Sequence, residues 1–440
     1  MRKIGIILTT VLVVVAFVVL SVPFAMGVWI QARYAKMLTE FNTPHLTYQL
    51  ISFKRGWFQS KAQLQVTLHS AETTLNGESV PLAQFIVNQN ILHGPLVRQQ
   101  HLDGSKKWQF ARAAVSNESH AGNLNFQSNS IWTMSNSINT DLQIGHLLLS
   151  NDRQRIEVNG LNGQIDYVPS DRHFLSNLNL VNGALYENNP EKVANNNIVD
   201  LVKVMELDHF TSHLDIHKIN ALWYGVRHFG AEKITIYPYG GETLTFSNLT
   251  ADLNQEQHQG VTHFSLNNHI DSITNGQFKV GQIQVALKLD NMDNNLLENF
   301  AQTFMYGSDF QRFKLYPILV DMFAKGMTAD LSQLQFNTDD GPVSMQMQIA
   351  SLPADPSNNG LLHLLESLNI QAAANVPKEW LKKNITSYYQ TKKNENPNIK
   401  MDAQQIADHL MTYWQDQHFL VPQAQQVSIA INYKNGQLLI

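Results

Sequence analysis

The chain has 440 residues, a net charge of −5, only 15% charged residues and no cysteine. No basic run exceeds Lys106-Lys107, Lys382-Lys383 or Lys392-Lys393, which argues against a nucleic-acid partner, because phosphate binding needs clustered Lys and Arg. The missing cysteine excludes disulfides, thiol catalysis, iron–sulfur clusters, Cys-type zinc sites and the acylated residue of a lipoprotein.

No charged residue occurs from Ile4 to Ala32. As a helix, Ile4 to Ile30 spans about 40 Å, more than the roughly 30 Å of a bilayer's hydrocarbon layer. Two readings compete. In a cleavable signal peptide, Arg2 and Lys3 form the basic start and Ala25-Met26-Gly27 the small-residue site. But the apolar part of such a peptide is about 7–15 residues, and Ile4 to Leu20 already exceeds that. A retained membrane anchor over residues 1–33 is the expectation, with residues 34–440 as a periplasmic body. Trp29 and Tyr34 are expected at the membrane interface, where aromatic rings gather.

Residues 31–43 continue the helix and end before Pro44. The period then changes from 3.6 to 2: Ala62, Leu64, Val66 and Leu68 alternate with Lys61, Gln63, Gln65 and Thr67. The alternation recurs at 142–144, 156–158, 165–167, 234–236, 244–246, 283–289, 343–349, 370–372 and 427–433. These segments predict half-buried antiparallel strands, and the dry faces of 283–289, 343–349 and 427–433 are expected to lie together. Asn-Gly pairs at 76, 159, 162, 182, 275, 359 and 435 predict tight hairpins, because both central positions of that turn need φ > 0. Asp339-Asp340-Gly341 predicts another. Helices are expected over 190–207, 292–306, 309–325, from Pro377 through Tyr389, and from an Asp402 cap through Trp414. Lys392 to Lys400 reads as an exposed loop. The fold class is therefore a β-rich α+β protein: one N-terminal transmembrane helix, then an extended antiparallel β domain with interspersed helices. A weak subdivision is expected near 188–200.

The run Tyr48-Gln49-Leu50-Ile51-Ser52-Phe53-Lys54-Arg55-Gly56-Trp57-Phe58-Gln59-Ser60 resembles the start of the YdgA-like family of bacterial envelope proteins of unknown function. His93-Gly94-Pro95-Leu96, Ile370 to Pro377 followed by a helix, and Tyr433-Lys434-Asn435-Gly436-Gln437-Leu438 resemble later parts of the same family, in the same order. The resemblance implies a bacterial inner-membrane anchor and a periplasmic β-rich body. It implies no reaction.

Candidate chemistry is sparse. His209, His213 and His217 would line one helix face as a zinc or nickel site. Their interleaved Leu214, Ile216 and Ile219 fit a strand better, where His213 and His217 stand about 13 Å apart. No metal site is assigned and no cofactor is expected. His93-Gly94-Pro95 reads first as a turn. Lys54, Arg55, Trp57 and Phe58 are the candidate lipid or partner contact, basic residues beside aromatics near the anchor. No phosphate loop, nucleophile elbow or His-Glu-x-x-His pair occurs. The leading reading is a non-enzymatic envelope protein that contacts the bilayer through its first helix and binds a partner protein or an amphipathic ligand such as lipid. The rivals are an envelope hydrolase with an unidentified carboxylate pair and a structural scaffold. The deciding feature is whether the apolar sheet face is a closed core or an open trough.

Overall fold

The computed structural model describes residues 21–36, 38, 39, 42, 43, 46–73, 79–102, 104–121, 124–150, 154–188, 201–276, 278–306, 313–351, 367–395, 400–434 and 436–439. Two compact units result: residues 1–217 with 234–241, and residues 218–233 with 242–440. Among the described residues no helix is long and apolar enough to cross a membrane, a finding that does not bear on strands. Most of the expected anchor, residues 1–20, lies outside the described residues.

Unit 1 begins with helix α1, residues 21–39. Then come β1 (Leu46–Arg55), β2 (Gln59–Thr73), β3 (Ser79–His93), β4 (Leu96–Gln100), β5 (Lys106–Ala121), β6 (Leu124–Thr133), β7 (Ile138–Ser150), β8 (Gln154–Val168), β9 (His173–Asn188) and β10 (Leu201–Ile219). All pairings among them are antiparallel, β3 pairing with β5 while β4 forms a side hairpin on β5. Because side chains alternate along a strand, one face collects Leu, Ile, Val and Phe and the other Asn, Gln, His and Asp. On the polar face, pairs such as His146 Nδ1 with Asn159 Oδ1 (2.6 Å) and Asn182 Nδ2 with Asp208 Oδ1 (2.7 Å) link neighbouring strands. The apolar face carries α1, whose Ile30, Tyr34 and Leu38 are buried with Ala62, Leu64, Val66, Val87, Ile91 and Ala113. Each large aliphatic side chain buried there contributes about 1.5–3 kcal/mol.

Strand β11 (Leu222–Ile236) carries the boundary between the units. Unit 2 continues with β12 (Leu244–His258), β13 (Val261–Asn275), β14 (Phe278–Asp293), helices α2 (Asn294–Tyr306) and α3 (Leu315–Ala324), β15 (Thr328–Thr338), β16 (Gly341–Ser351) and β17 (Leu368–Pro377). Helices α4 (Lys378–Glu395) and α5 (Ala403–Asp416) precede β18 (Val421–Gln423), β19 (Gln426–Lys434) and β20 (Gln437–Leu439). The β-rich antiparallel class read from the sequence is what the chain adopts. Asp402 caps α5, its carboxylate accepting from the Gln404 amide at 3.1 Å.

Four expectations need correction. The helix expected over 190–207 is contradicted in its described part, where 201–207 open the 19-residue strand β10; 190–200 lie outside the described residues. The register pairs these residues with Gly183–Asn188 of β9, Val204 at a register shift excepted, and pairing of that length overrides a weak local pattern. The Asn-Gly pairs at 159, 162 and 182 lie inside β8 and β9. Gly160, at φ +69°, stands opposite Val181 between the in-register pairs Asn159–Asn182 and Leu161–Leu180, so the dipeptide supplies a left-handed residue within the strand. Among the described residues, Asn275 stands at a hairpin turn; Asn76, Asn359 and Asn435 lie outside the described residues. Pro377 ends β17 instead of starting a helix, and α4 runs on to Glu395, so the expected loop begins helical at 392–395, while 396–399 lie outside the described residues. Lys392 and Lys393 sit in its last turn, where cations favour the helix dipole.

Candidate functional site

In unit 1 the apolar face extends past α1. Register places Phe126 opposite Ile144, Ile144 opposite Leu161, Leu161 opposite Leu180, and Leu180 opposite Phe210. This line of directly opposed apolar side chains crosses five strands, β6 to β10, and every member is only half-buried. A second line, Leu124, Leu147 and Val158, runs beside it. Gly163 belongs to the same face: a Cβ there would fall 2.7 Å from Leu178 Cδ2, so the missing side chain lets Leu178 lie across it.

Where these lines approach α1 the face opens into a cavity of about 360 Å³, within the roughly 300–1,000 Å³ range of small-ligand sites. Tyr48, Val66, Phe85, Phe126, Ile144 and Leu147 are among its lining residues. One wall is polar but uncharged. The Tyr34 hydroxyl donates to Gln89 Oε1, Gln89 Nε2 donates to Asn117 Oδ1 at 2.6 Å, and Asn117 Nδ2 donates to Ser128 Oγ at 2.8 Å. Each side chain in this relay has a partner within it, so the polar wall is not left unpaired at a cost. Burial pushes the Tyr34 phenol well above its ordinary range. The cavity can accept an apolar chain along its floor and a neutral ester or amide beside its polar wall.

Unit 2 repeats the pattern. Leu253, Leu266, Leu287, Leu331, Met347, Ala372 and Ile431 are opposed in turn across seven strands. The dry faces of 283–289, 343–349 and 427–433 therefore do share one surface. Its two ends are sealed differently. Around Phe264, Leu289 and Met292 it packs on Leu297, Phe300 and Met322 of α2 and α3. Around Val343, Val376 and Val427 it packs on Trp380, Met411 and Trp414 of α4 and α5. Between these ends exposure rises, and Ile431 is 40% exposed.

A family model for a bacterial protein of unknown function, DUF945, matches residues 1–440. The chain belongs to that family. No curated protein and no solved structure matches it.

The residues singled out in this DUF945 chain separate into two groups. Trp29 and Tyr34 lie on the sheet side of α1: Tyr34 is buried, and Trp29 packs on Trp132 with ring centroids 4.9 Å apart. Lys54, Arg55, Trp57 and Phe58 form the exposed tip between β1 and β2. There Trp57 meets Phe24 of α1 at 4.7 Å, and the Arg55 guanidinium lies 4.9 Å from the Phe24 ring. His93 is buried at the foot of this tip. Its Nδ1 donates to the Trp57 carbonyl oxygen at 3.2 Å, which leaves Nε2 to accept from the Ser60 hydroxyl at 2.8 Å. Burial holds the His93 pKa below its ordinary value, against the opposing pull of the Trp57 and Pro23 carbonyls. A Cβ on Gly27 would fall 2.4 Å from the ring, so α1 can pass over His93 only as glycine. The His-Gly-Pro motif thus seats α1 on the sheet.

His209, His213 and His217 stand on strand β10, with His213 Nδ1 2.6 Å from Asn177 Oδ1 and His209 at a positive φ of 46°. Among the described residues no group of three His, Asp or Glu side chains is placed to hold a metal. Sequence reasoning missed one carboxylate pair. Asp141 and Asp166 are diagonal neighbours on the polar face of β7 and β8. Burial first, then the Asp141 charge, raises the Asp166 pKa, while Asp141 lies 3.4 Å from His101 Nδ1. The signal available was parity: both residues alternate with apolar ones in paired strands.

Proposed function

We propose that this protein is a membrane-anchored periplasmic component of the bacterial envelope that binds the apolar chain of a lipid-like ligand along its uncovered sheet faces. The inner-membrane location rests on the charge-free run from Ile4 to Ala32 and on the resemblance to the YdgA-like envelope proteins. The binding reading rests on one observation: the opposed apolar row from Phe126 to Phe210, half-buried and continuous with a cavity whose polar lining, among the described residues, is uncharged. A purely structural sheet has no reason to leave such a row open, since covering it stabilises the fold at about 25 cal/mol per Å². The uncharged wall favours the neutral part of an amphipath over its headgroup.

The test is the lipid that stays with the full chain through purification in a lipid-free detergent, measured by mass spectrometry. Wild type is expected to carry stoichiometric acyl lipid and Ile144→Asp to carry less than a tenth of it, with the melting transition retained. A wild-type protein that retains no lipid, or an Ile144→Asp variant that retains it in full, overturns the reading.

A further inference from the structure

The side hairpin β4–β5 breaks the pattern that the rest of unit 1 obeys. Elsewhere the face turned away from the apolar core carries amides, hydroxyls, His and Asp. Here Val97 and Gln99 turn inward, Val97 burying itself with Ala111, Ala114 and Ile131. The outward positions are Leu96, Arg98, Lys106, Trp108 and Phe110. Register pairs Leu96 with Phe110 and Arg98 with Trp108. Phe110 is 76% exposed and Trp108 64%, among the most exposed large apolar side chains described. An exposed row of this kind on an otherwise polar surface marks a contact surface.

The hairpin and the neighbouring tip carry mostly positive charge. Residues 94–112 hold Arg98, Lys106, Lys107 and Arg112 against the single acid Asp103, and residues 53–61 hold Lys54, Arg55 and Lys61 with no acid at all. The two segments are adjacent. The His93 amide donates to the Phe58 carbonyl oxygen at 2.8 Å, and β4 starts three residues later. The pair nearest that junction is the apolar one, Leu96 with Phe110; the cations Arg98 and Lys106 follow behind it. Exposed Trp57 and Phe58 sit on the other side of the junction. This is also the end at which α1 begins, Phe24 touching Trp57, and from which the charge-free segment 4–20 continues the chain.

We infer that this end of unit 1, the β4–β5 hairpin together with the β1–β2 tip, docks on a lipid bilayer rich in anionic headgroups. Aromatic rings interleaved with cations suit the headgroup layer: the rings enter it and the cations pair with phosphates. The occupant is argued from continuity, because α1, which the charge-free segment 4–20 immediately precedes in the sequence, begins at the same end. The inference rests on the membrane location proposed above but not on the trough or its ligand.

The natural chain has no cysteine, so Phe110→Cys supplies a single thiol for an environment-sensitive fluorophore in the full-length protein. Asn179→Cys, on the exposed polar face of β9, is the control. Each is reconstituted into phosphatidylcholine vesicles with and without phosphatidylglycerol. In phosphatidylglycerol vesicles the label at 110 is expected to shift to the blue, to be quenched by brominated lipid, and to be protected from aqueous iodide several-fold more than the label at 179. Arg98→Glu with Lys106→Glu should abolish that protection, and high salt should weaken it. Equal iodide access at 110 and 179 in vesicle-bound protein overturns docking and leaves the anchor standing. Protein that fails to float with vesicles overturns both. Shielding of position 110 that appears without vesicles and grows with protein concentration assigns the patch to a second copy of the chain and overturns docking.

Discussion

The apolar face of unit 1 is built from the same residue types throughout, yet its two halves differ in cover. Beneath α1, Ile91 is fully buried and lies among Ile30, Ala62 and Ala113. Across β6 to β10 the opposed row Phe126, Ile144, Leu161, Leu180 and Phe210 is only half-buried. Unit 2 shows the same contrast between Val427, sealed under α5, and Ile431, four residues along the same strand face and open. Alternation along a strand specifies that one face avoids water. It does not specify what keeps the water out. Where a helix does, the result is a core; where none does, the result is a surface suited to an apolar chain.

Charge insertion breaks this comparison most sharply. Ile91→Asp places a carboxylate under α1 with no partner and is expected to destabilise unit 1 by more than about 4 kcal/mol. Ile144→Asp places the same group where water reaches it and should cost about 1 kcal/mol. Denaturant melts of the two variants decide the point: equal midpoints would make the open row a closed core.

A smaller effect tests how α1 is held. His93→Ala removes the link between the Ser60 hydroxyl and the Trp57 carbonyl and is expected to cost about 2–3 kcal/mol. The pH dependence follows from the sign of the shift. The His93 pKa is lowered in the folded state, so between its folded and unfolded values the unfolded chain binds more protons, and stability rises with pH there. The contribution is complete above the ordinary value of about 6.5 and is lost as pH falls through the folded value. Wild type should therefore lose stability relative to His93→Ala on acidification from pH 7. Parallel pH profiles for the two proteins would contradict the assignment.

Much of this was legible in the sequence, and the failures are physical. The strands at 283–289, 343–349 and 427–433 showed themselves because each has one wet and one dry face, and register then aligns Leu287, Met347 and Ile431 on one surface. The Asp402 cap was visible for the same local reason. Asn159-Gly160 misled because a left-handed residue inside a strand and a hairpin ask the same φ > 0 of glycine, and only the partner strand distinguishes them. Residues 201–207 misled because their backbone partners lie in β9, some twenty residues upstream. Which part of the apolar face lies under a helix and which is only half-buried was not legible, since cover is a tertiary property. The exposed row Leu96, Trp108 and Phe110 was overlooked because, read alone, five alternating residues look like any half-buried strand.

The central claim is that the open row holds a lipid chain. A photo-crosslinking amino acid at position 144, activated in living cells, reports the occupant directly, with position 143 on the opposite face as control. The account predicts an adduct whose added mass is that of an acyl lipid at 144 and none at 143. A protein adduct at 144, or equal yields at the two positions, would contradict it.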